Sequence, residues 1–319
     1  MQEDHKPVIA ISSCLLGNLV RYDKNHCQDK WIVQELSKFV ELVPICPEIE
    51  MGLGAPREEI HLYINKEEKD KVKLKNKYEG SDLTLLAEET YKRMNNSLFD
   101  KKIDGFILTK KSPSCGLDNV KTIQKDDPSK VTRSAGLFAK NIIDNFPSHP
   151  RIDSGRIFNK SLREKFLKAV FAHFSFRETE RTSSKLQDLH KKYKYILMDH
   201  STIRLKELGQ IVASAEKESI NTSFHEYYVK FFEALSIEAT SKTRCNTLQH
   251  IMGYFKKNLD SQEKSEIVIL LDDFRNDLIS YDVLLKYFYM LTKKYKSPYL
   301  STQLYFSPYP KELKLLKEV

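Results

Sequence analysis

Three of the five cysteines in this 319-residue chain share a setting. Cys14 follows Ser12-Ser13 at the end of one apolar run, and Cys46 precedes Pro47-Glu48 at the end of a second. Cys115 stands in Ser112-Pro113-Ser114-Cys115-Gly116, one loop beyond a third. No Cys-x-x-Cys spacing announces a metal site, and an odd number of cysteines favours thiol or metal chemistry over a disulfide framework. If the three runs are parallel strands of an open α/β sheet, their carboxyl ends meet at one edge, where ligands bind, and three thiols converge. With His26 or His61 they would complete a four-ligand zinc site. Alone they could hold a [4Fe-4S] cluster with one iron lacking a protein ligand, a Lewis acid suited to a soft sulfur donor. Unrelated buried thiols are the third reading, and spacing does not choose among the three.

The elements that must position these residues follow from periodicity. Val8–Ser12 and the stretches 39–45 and 103–109 are short, β-branched and bounded by Gly, Pro or polar clusters, which predicts strands. Helical spacing at 31–38 and 82–99 falls between them, and seven of the ten glycines lie in residues 1–150. This rhythm predicts an α/β N-terminal domain over 1–147, Rossmann-like with a mostly parallel sheet. Residues 65–80 are nearly all charge and are expected to form a solvated loop or hairpin. Pro147, Pro150 and Gly155 interrupt any periodic pattern and predict a linker over 148–160. Beyond it, amphipathic runs at 162–176, 183–200, 222–236, 246–259, 263–275 and 280–293 predict an all-α C-terminal domain over 161–319, ending in a proline- and tyrosine-rich strap and a short helix.

Charge divides the chain as well. Residues 1–150 hold 23 basic and 23 acidic side chains, residues 151–319 hold 29 and 21, and the whole net charge of +8 therefore lies in the second part. With 40% hydrophobic and 11% aromatic residues the chain can bury real cores, which excludes a disordered polybasic tail. No apolar run approaches about 18 residues, and Glu3 and Asp4 stand where a secretory signal would be basic. A soluble, cytoplasmic protein is expected.

A basic helical domain is either a nucleic-acid face or a solvated lysine-rich surface. At about 100° per residue, Leu248, Ile251, Met252, Phe255 and Leu259 form a stripe that must face a core. Opposite lie Asn246, His250, Tyr254 and Lys257, whose amide, aromatic and cationic groups suit unstacked RNA bases and phosphates. Lys191, Lys192 and Lys194 point outward, toward phosphates or simply toward water. His200 shares a stripe with Leu186, Leu189, Tyr193, Ile196 and Leu197 and is expected to be a core or interface histidine.

Several blocks carry a family resemblance. Ser13-Cys14-Leu15-Leu16-Gly17, Val20-Arg21-Tyr22-Asp23, Cys46-Pro47-Glu48, Gly52-Leu53-Gly54-Ala55-Pro56-Arg57-Glu58, Lys111-Ser112-Pro113-Ser114-Cys115-Gly116 and Gly136-Leu137-Phe138-Ala139 are similar to the signature blocks of the TudS-like thiouracil desulfidases, in order over residues 7–147. His190 to His200, Asn246 to Phe255 and Pro298 to Pro310 resemble the YbgA-like helical domain, and the combination is similar to the RudS type, which removes sulfur from 4-thiouridine in tRNA. The resemblance implies a [4Fe-4S] cluster on three cysteines, mapping onto Cys14, Cys46 and Cys115, and a hydrolytic, non-redox desulfidation of thiolated tRNA. Two departures stand out: Lys24 follows Arg21-Tyr22-Asp23 where the family commonly has Gly, and Cys27 lies outside the shared blocks as a spare thiol.

Within such a reaction, Glu48 is placed to act as general base on the attacking water or as proton donor to the departing sulfur. Its other reading is a stabilising first-turn carboxylate after Pro47. Ser112 and Ser114 would hydrogen-bond the substrate or cluster sulfurs, or only shape a turn around Pro113. Arg57, and Arg21 with Asp23, suit a phosphate or ribose, or an internal ion pair. The competing readings are a desulfidase of free thiopyrimidine bases such as 2-thiouracil, and an iron–sulfur RNA-binding regulator without turnover.

Overall fold

The computed structural model describes residues 5–65, 71–216 and 219–314. They form two compact units that divide between Phe174 and Ser175, with the chain from Pro310 onward belonging to the first.

In chain order the first unit runs β1 (Val8–Ser12), α1 (Lys30–Gln34), β2 (Glu41–Ile45), α2 (Pro47–Glu50), β3 (Ile60–Ile64), β4 (Lys73–Asn76), α3 (Thr84–Asp100), β5 (Gly105–Leu108), β6 (Val120–Gln124), β7 (Asp127–Ser134), α4 (Leu137–Asn145), β8 (Arg151–Asp153) and most of α5 (Lys160–Arg177). One sheet has the order β2-β1-β5-β8 and is parallel throughout. Every residue of β1 and β5 is buried, which is why both read as unbroken apolar runs. The second sheet, β4-β3-β6-β7, is mixed and was not expected; its strands alternate charged and apolar residues too briefly to stand out. Of the charged stretch 65–80, residues 66–70 lie outside the described residues, and 73–76 pair antiparallel with β3 as a hairpin.

Residues 148–160, expected to be a linker, contain β8. The polypeptide uses Arg151–Asp153 to pair with Phe106, Ile107 and Leu108, covering what would be an open edge of a buried strand. The first unit also keeps α5 as far as Phe174. Asp104, fully buried just before β5, accepts from the Val8 backbone N–H through Oδ2 at 2.8 Å and meets His173 Nδ1 of α5 through Oδ1 at 3.0 Å. Gly105 lets α5 approach closely, since a Cβ there would lie 2.8 Å from Val170.

One core cluster packs on the face of the parallel sheet that carries Ala10, Phe106 and Leu108. Ala87, Tyr91, Met94 and Leu98 of α3 recur at four- and three-residue intervals and pack with Phe138, Ala139 and Ile142 of α4 over Ala10, Phe106 and Leu108. The loop from β5 to β6 lies against the start of α4 so closely that Gly136 has no room for a side chain.

The second unit is helical as expected: α6 (Ser183–His200), α7 (Thr202–Ser214), α8 (Ile220–Ser236), α9 (Ser241–Met252), α10 (Ser261–Arg275), α11 (Tyr281–Lys294) and α12 (Pro298–Ser301). The sequence did not reveal α7, whose apolar stripe is sparse, with only Leu208, Ile211 and Val212 buried. Ser201 separates it from α6 and accepts from the Arg204 N–H as its N-cap. The run 246–259 is not one helix, because α9 starts at Ser241 and gives way at Gly253 to a 3-10 turn. The expected core stripe survives the break: Leu248, Ile251, Phe255 and Leu259 are buried. His200 is buried too, its Nδ1 2.5 Å from the Ile237 carbonyl oxygen.

A Cβ on Gly136 would lie 2.5 Å from the Ser114 carbonyl oxygen. Gly136→Ala is therefore expected to cost about 1–3 kcal/mol by overpacking, read as a lower urea midpoint. Gly253→Ala, where nothing lies within 4 Å, should leave that midpoint unchanged or raise it.

Candidate active site

Strand pairing assembles the site. Ser12 is in register with Ile45, and Ile11 with Ile107, so the carboxyl ends of β1, β2 and β5 reach one edge together. After β1 the chain turns through Ser13–Leu16 and reverses at Gly17, whose φ of +95° a side chain would resist. After β2 it enters α2 at once, with Pro47 at the first position, and this places Glu48 in the first turn. After β5 the loop folds on the Ser112 hydroxyl, which accepts from the Ser114 and Cys115 backbone N–H groups at 3.3 and 3.1 Å.

These three ends border a cavity of about 400 Å³ whose walls include Cys14, Cys46, Cys115, Glu48, Ser112 and Thr109. Arg21, Arg57, His61, Lys110, Lys111 and Lys121 add a basic border. Ser114 is placed elsewhere: it is fully buried outside the lining, with its hydroxyl beside that of Tyr91 in the interior, because the turn on Ser112 rotates it inward. Of these two serines Ser112 is thus the one that lines the cavity, together with Ser12 and Ser13. His61 borders the cavity whereas His26 does not; the His26 Nδ1 accepts from the Gln28 N–H at 3.2 Å. Among the described residues, no three His, Cys, Asp or Glu side chains are grouped so as to hold a metal ion.

The thiols differ in charge preference. Cys46 donates to Glu48 Oε2 across 3.4 Å, and burial together with that carboxylate pushes its pKa up to about 12. Burial drives Cys115 well above its ordinary range, reinforced by Glu48. Cys14 is raised by its hydrogen bond with Cys27 and by burial, while Thr109 Oγ1, 3.1 Å from its sulfur, pulls the other way. Cys27 is brought down to about 6, chiefly by the Cys14 hydrogen bond, with the Arg21 guanidinium helping against burial. Three thiols that resist ionisation, two of them buried and Cys46 half-buried, line one cavity, and a metal bound there would have to displace their protons.

Glu48 is 6% exposed, and Arg57 Nη2 lies 3.9 Å from its Oε2. Arg57 is itself anchored by Nη1, which donates to the carbonyls of Val20 and Gly54 at 2.7 and 2.8 Å. Arg21 pairs with Asp23 at 3.6 Å and also contacts Cys27. Lys24, standing where a glycine was expected, keeps the left-handed turn at φ +54°, and its N–H donates to the Arg21 carbonyl at 3.0 Å. The Glu48–Arg57 pair and the Cys14–Cys27 contact were not legible in the sequence, because both join residues across loops with no fixed spacing.

The proposed RNA residues scatter within the second unit. Lys191 and Lys192 are exposed on α6, and Lys191 lies 3.6 Å from Asp188. Lys194 turns its ammonium over the rings of Tyr195 and Tyr299, at 5.5 and 6.0 Å. Tyr254 stacks on that same Tyr299 ring at 5.4 Å. The structure thus joins Lys194 and Tyr254 through one aromatic neighbour. Asn246 is half-buried and His250 exposed on α9, while Lys257 is exposed beyond the helix end.

Comparison with known proteins places each part. Residues 9–154 match the family model of 2-thiouracil desulfurase. Every cavity residue named above falls inside this matched region. Residues 194–310 match a family described as a protein of unknown function, DUF1722. The uncharacterized protein YbgA of Escherichia coli K12 is 28% identical over 143 residues, which is 44% of this chain and 83% of that protein. A solved structure of the [4Fe-4S]-dependent thiouracil desulfidase TudS aligns over 50% of this chain and 98% of its own, at 20% identity and a TM-score of 0.39. No helix among the described residues is long and apolar enough to cross a membrane.

A thiol held as thiolate reacts fastest with alkylating agents. Iodoacetamide is therefore expected to label Cys27 before Cys46 in the metal-free chain, with a rate that climbs to a plateau above about pH 6, and Arg21→Ala should move that rise to higher pH. Peptide mass mapping over a pH series checks both.

Proposed function

We propose that this chain is a [4Fe-4S]-dependent desulfidase that removes sulfur from 4-thiouridine in tRNA, giving uridine and hydrogen sulfide. The observation that carries the reading is the set of three strand-end cysteines bordering one cavity with Glu48, inside the region that matches the 2-thiouracil desulfurase family. Cys14, Cys46 and Cys115 would hold the cluster. Their donor set fits it: thiolates are the ligands such clusters take, and these thiols line one cavity without being grouped to share a single ion. When bound, the cluster supplies a Lewis-acidic iron to the thione sulfur.

The chain's own residues then handle water and protons. Replacing C=S by C=O consumes one water and releases one H₂S, so no electrons are gained or lost. Glu48 takes a proton from the attacking water and delivers one to the departing sulfur, and Arg57, 3.9 Å from its Oε2, holds the carboxylate in place. Ser112 orients the pyrimidine with its hydroxyl. The second part of the chain, which carries the whole +8, is read as the tRNA-holding part, with Lys191, Lys192, Lys194, Asn246, His250, Tyr254 and Lys257 as contacts. Action on free thiopyrimidine bases is the second reading, favoured by the description of the matched family itself.

Protein reconstituted anaerobically should release sulfide from thiolated tRNA and none from unmodified tRNA. Release from 2-thiouracil alone selects the second reading, and no release from any thiolated substrate defeats both. Glu48→Ala should retain iron and the brown absorption while turnover falls by roughly 10²-fold or more, as for loss of a general base. Cys115→Ser should lose the iron. Binding of tRNA should weaken steeply from low to high salt, measured by filter retention, and a flat response would remove the phosphate contacts from the account.

A further inference from the structure

Cys27 is the thiol of the first unit that neither the cavity nor the proposed reaction uses. It sits where two separate backbone hydrogen bonds hold its segment against the site: Cys27 N–H to the Cys14 carbonyl and Asp29 N–H to the Leu15 carbonyl, both 3.0 Å. Its thiol and that of Cys14 shift each other's charge preference, with Arg21 adding to the effect on Cys27, and Thr109 Oγ1 lies 3.1 Å from the Cys14 sulfur. The remaining cysteines are directed elsewhere. Cys46 turns to Glu48, Cys115 is buried at 4% exposure in the core, and Cys245 points its sulfur at the Leu271 carbonyl at 3.7 Å in the second unit.

We infer that Cys14 and Cys27 form a reversible disulfide that closes the metal-free site, making Cys27 a modification site that governs cluster loading. Bridging requires Cα atoms within reach and sulfurs able to meet; the 3.0 Å hydrogen bond from the Cys27 N–H to the Cys14 carbonyl sets the two residues side by side, and their thiols influence each other's ionisation. Cys27 is partly exposed, so a small oxidant reaches it. The step balances with a peroxide: the two thiols give up two protons and two electrons, one S–S bond forms, the O–O bond breaks and two waters leave. A thiol reductant reverses it by exchange. The consequence for loading rests on the proposed role of Cys14 as a cluster ligand. One sulfur cannot serve the bridge and an iron together. Cys27 is not among the residues lining the cavity, so it adds a lock on one ligand rather than a fourth anchor.

The test uses the full-length metal-free chain, oxidised with stoichiometric hydrogen peroxide. Free thiols counted after unfolding should fall from five to three, and peptide mapping should link Cys14 to Cys27. Cys27→Ser and Cys27→Ala should each keep all four of their thiols. An unchanged count in the wild type, a bridge between other cysteines, or oxidation of Cys27 to a sulfinic acid would overturn the disulfide. Iron and sulfide uptake without reductant should fall to background in the oxidised wild type, return after dithiothreitol, and be insensitive to peroxide pre-treatment in both variants. Full uptake by the bridged chain overturns the lock. A reduced chain that takes up no iron while still forming the bridge faults the cluster reading and leaves the disulfide standing.

Discussion

Parallel pairing of β1 with β2 on one side and β5 on the other is the constraint on which the site depends. It delivers three strand ends to one edge, and each end carries a cysteine within a few residues. Both faces of β1 and β5 are covered, so a slip of one residue would turn every buried side chain of the strand to the wrong face. Register is therefore fixed by the core, and the thiols inherit their positions from it. Beyond the strands the loops are held at single points: the Ser112 hydroxyl under Cys115, the left-handed Gly17 after Cys14, and Pro47 at the head of α2 after Cys46.

Burial then sets the electrostatics. Thiols withdrawn from water stay protonated, and Glu48, buried beside them, raises Cys46 and Cys115 further. Arg57 offers that carboxylate its countercharge and is itself tied to two backbone carbonyls, so the pair belongs to the loop scaffold rather than to a mobile surface. Sulfur and carboxylate thus meet at an edge that a border of basic side chains surrounds, so any anion formed there has cations close by.

Much of this was legible in the residues. The strands carrying Cys14 and Cys115 read as apolar runs because they are buried on both faces, and the convergence of the cysteines follows from their parallel order. The second sheet did not announce itself, since β4, Lys73–Asn76, alternates lysines with single apolar or polar residues and looks like a solvated loop. Spacing placed Ser112 and Ser114 as equals, and only the turn geometry separates them. Helical periodicity found the buried stripe through Leu248 and Leu259, but it ran straight through Gly253, where the helix ends. That is why Lys257 does not share a helix with Asn246 and His250.

The Asp104–His173 contact bears on how this protein is to be divided. Asp104 caps the start of β1 with one oxygen and meets α5 with the other, and it is sealed from water. A chain cut in the proline-rich stretch near residue 150 would strip away β8 and α5 together. It would leave the buried carboxylate without its imidazole and expose the edge of β5, both costly. A piece that keeps this contact therefore runs at least to Phe174, inside a helix, where a reading of composition alone would never place the scissors, and the first unit also draws on the chain from Pro310 onward.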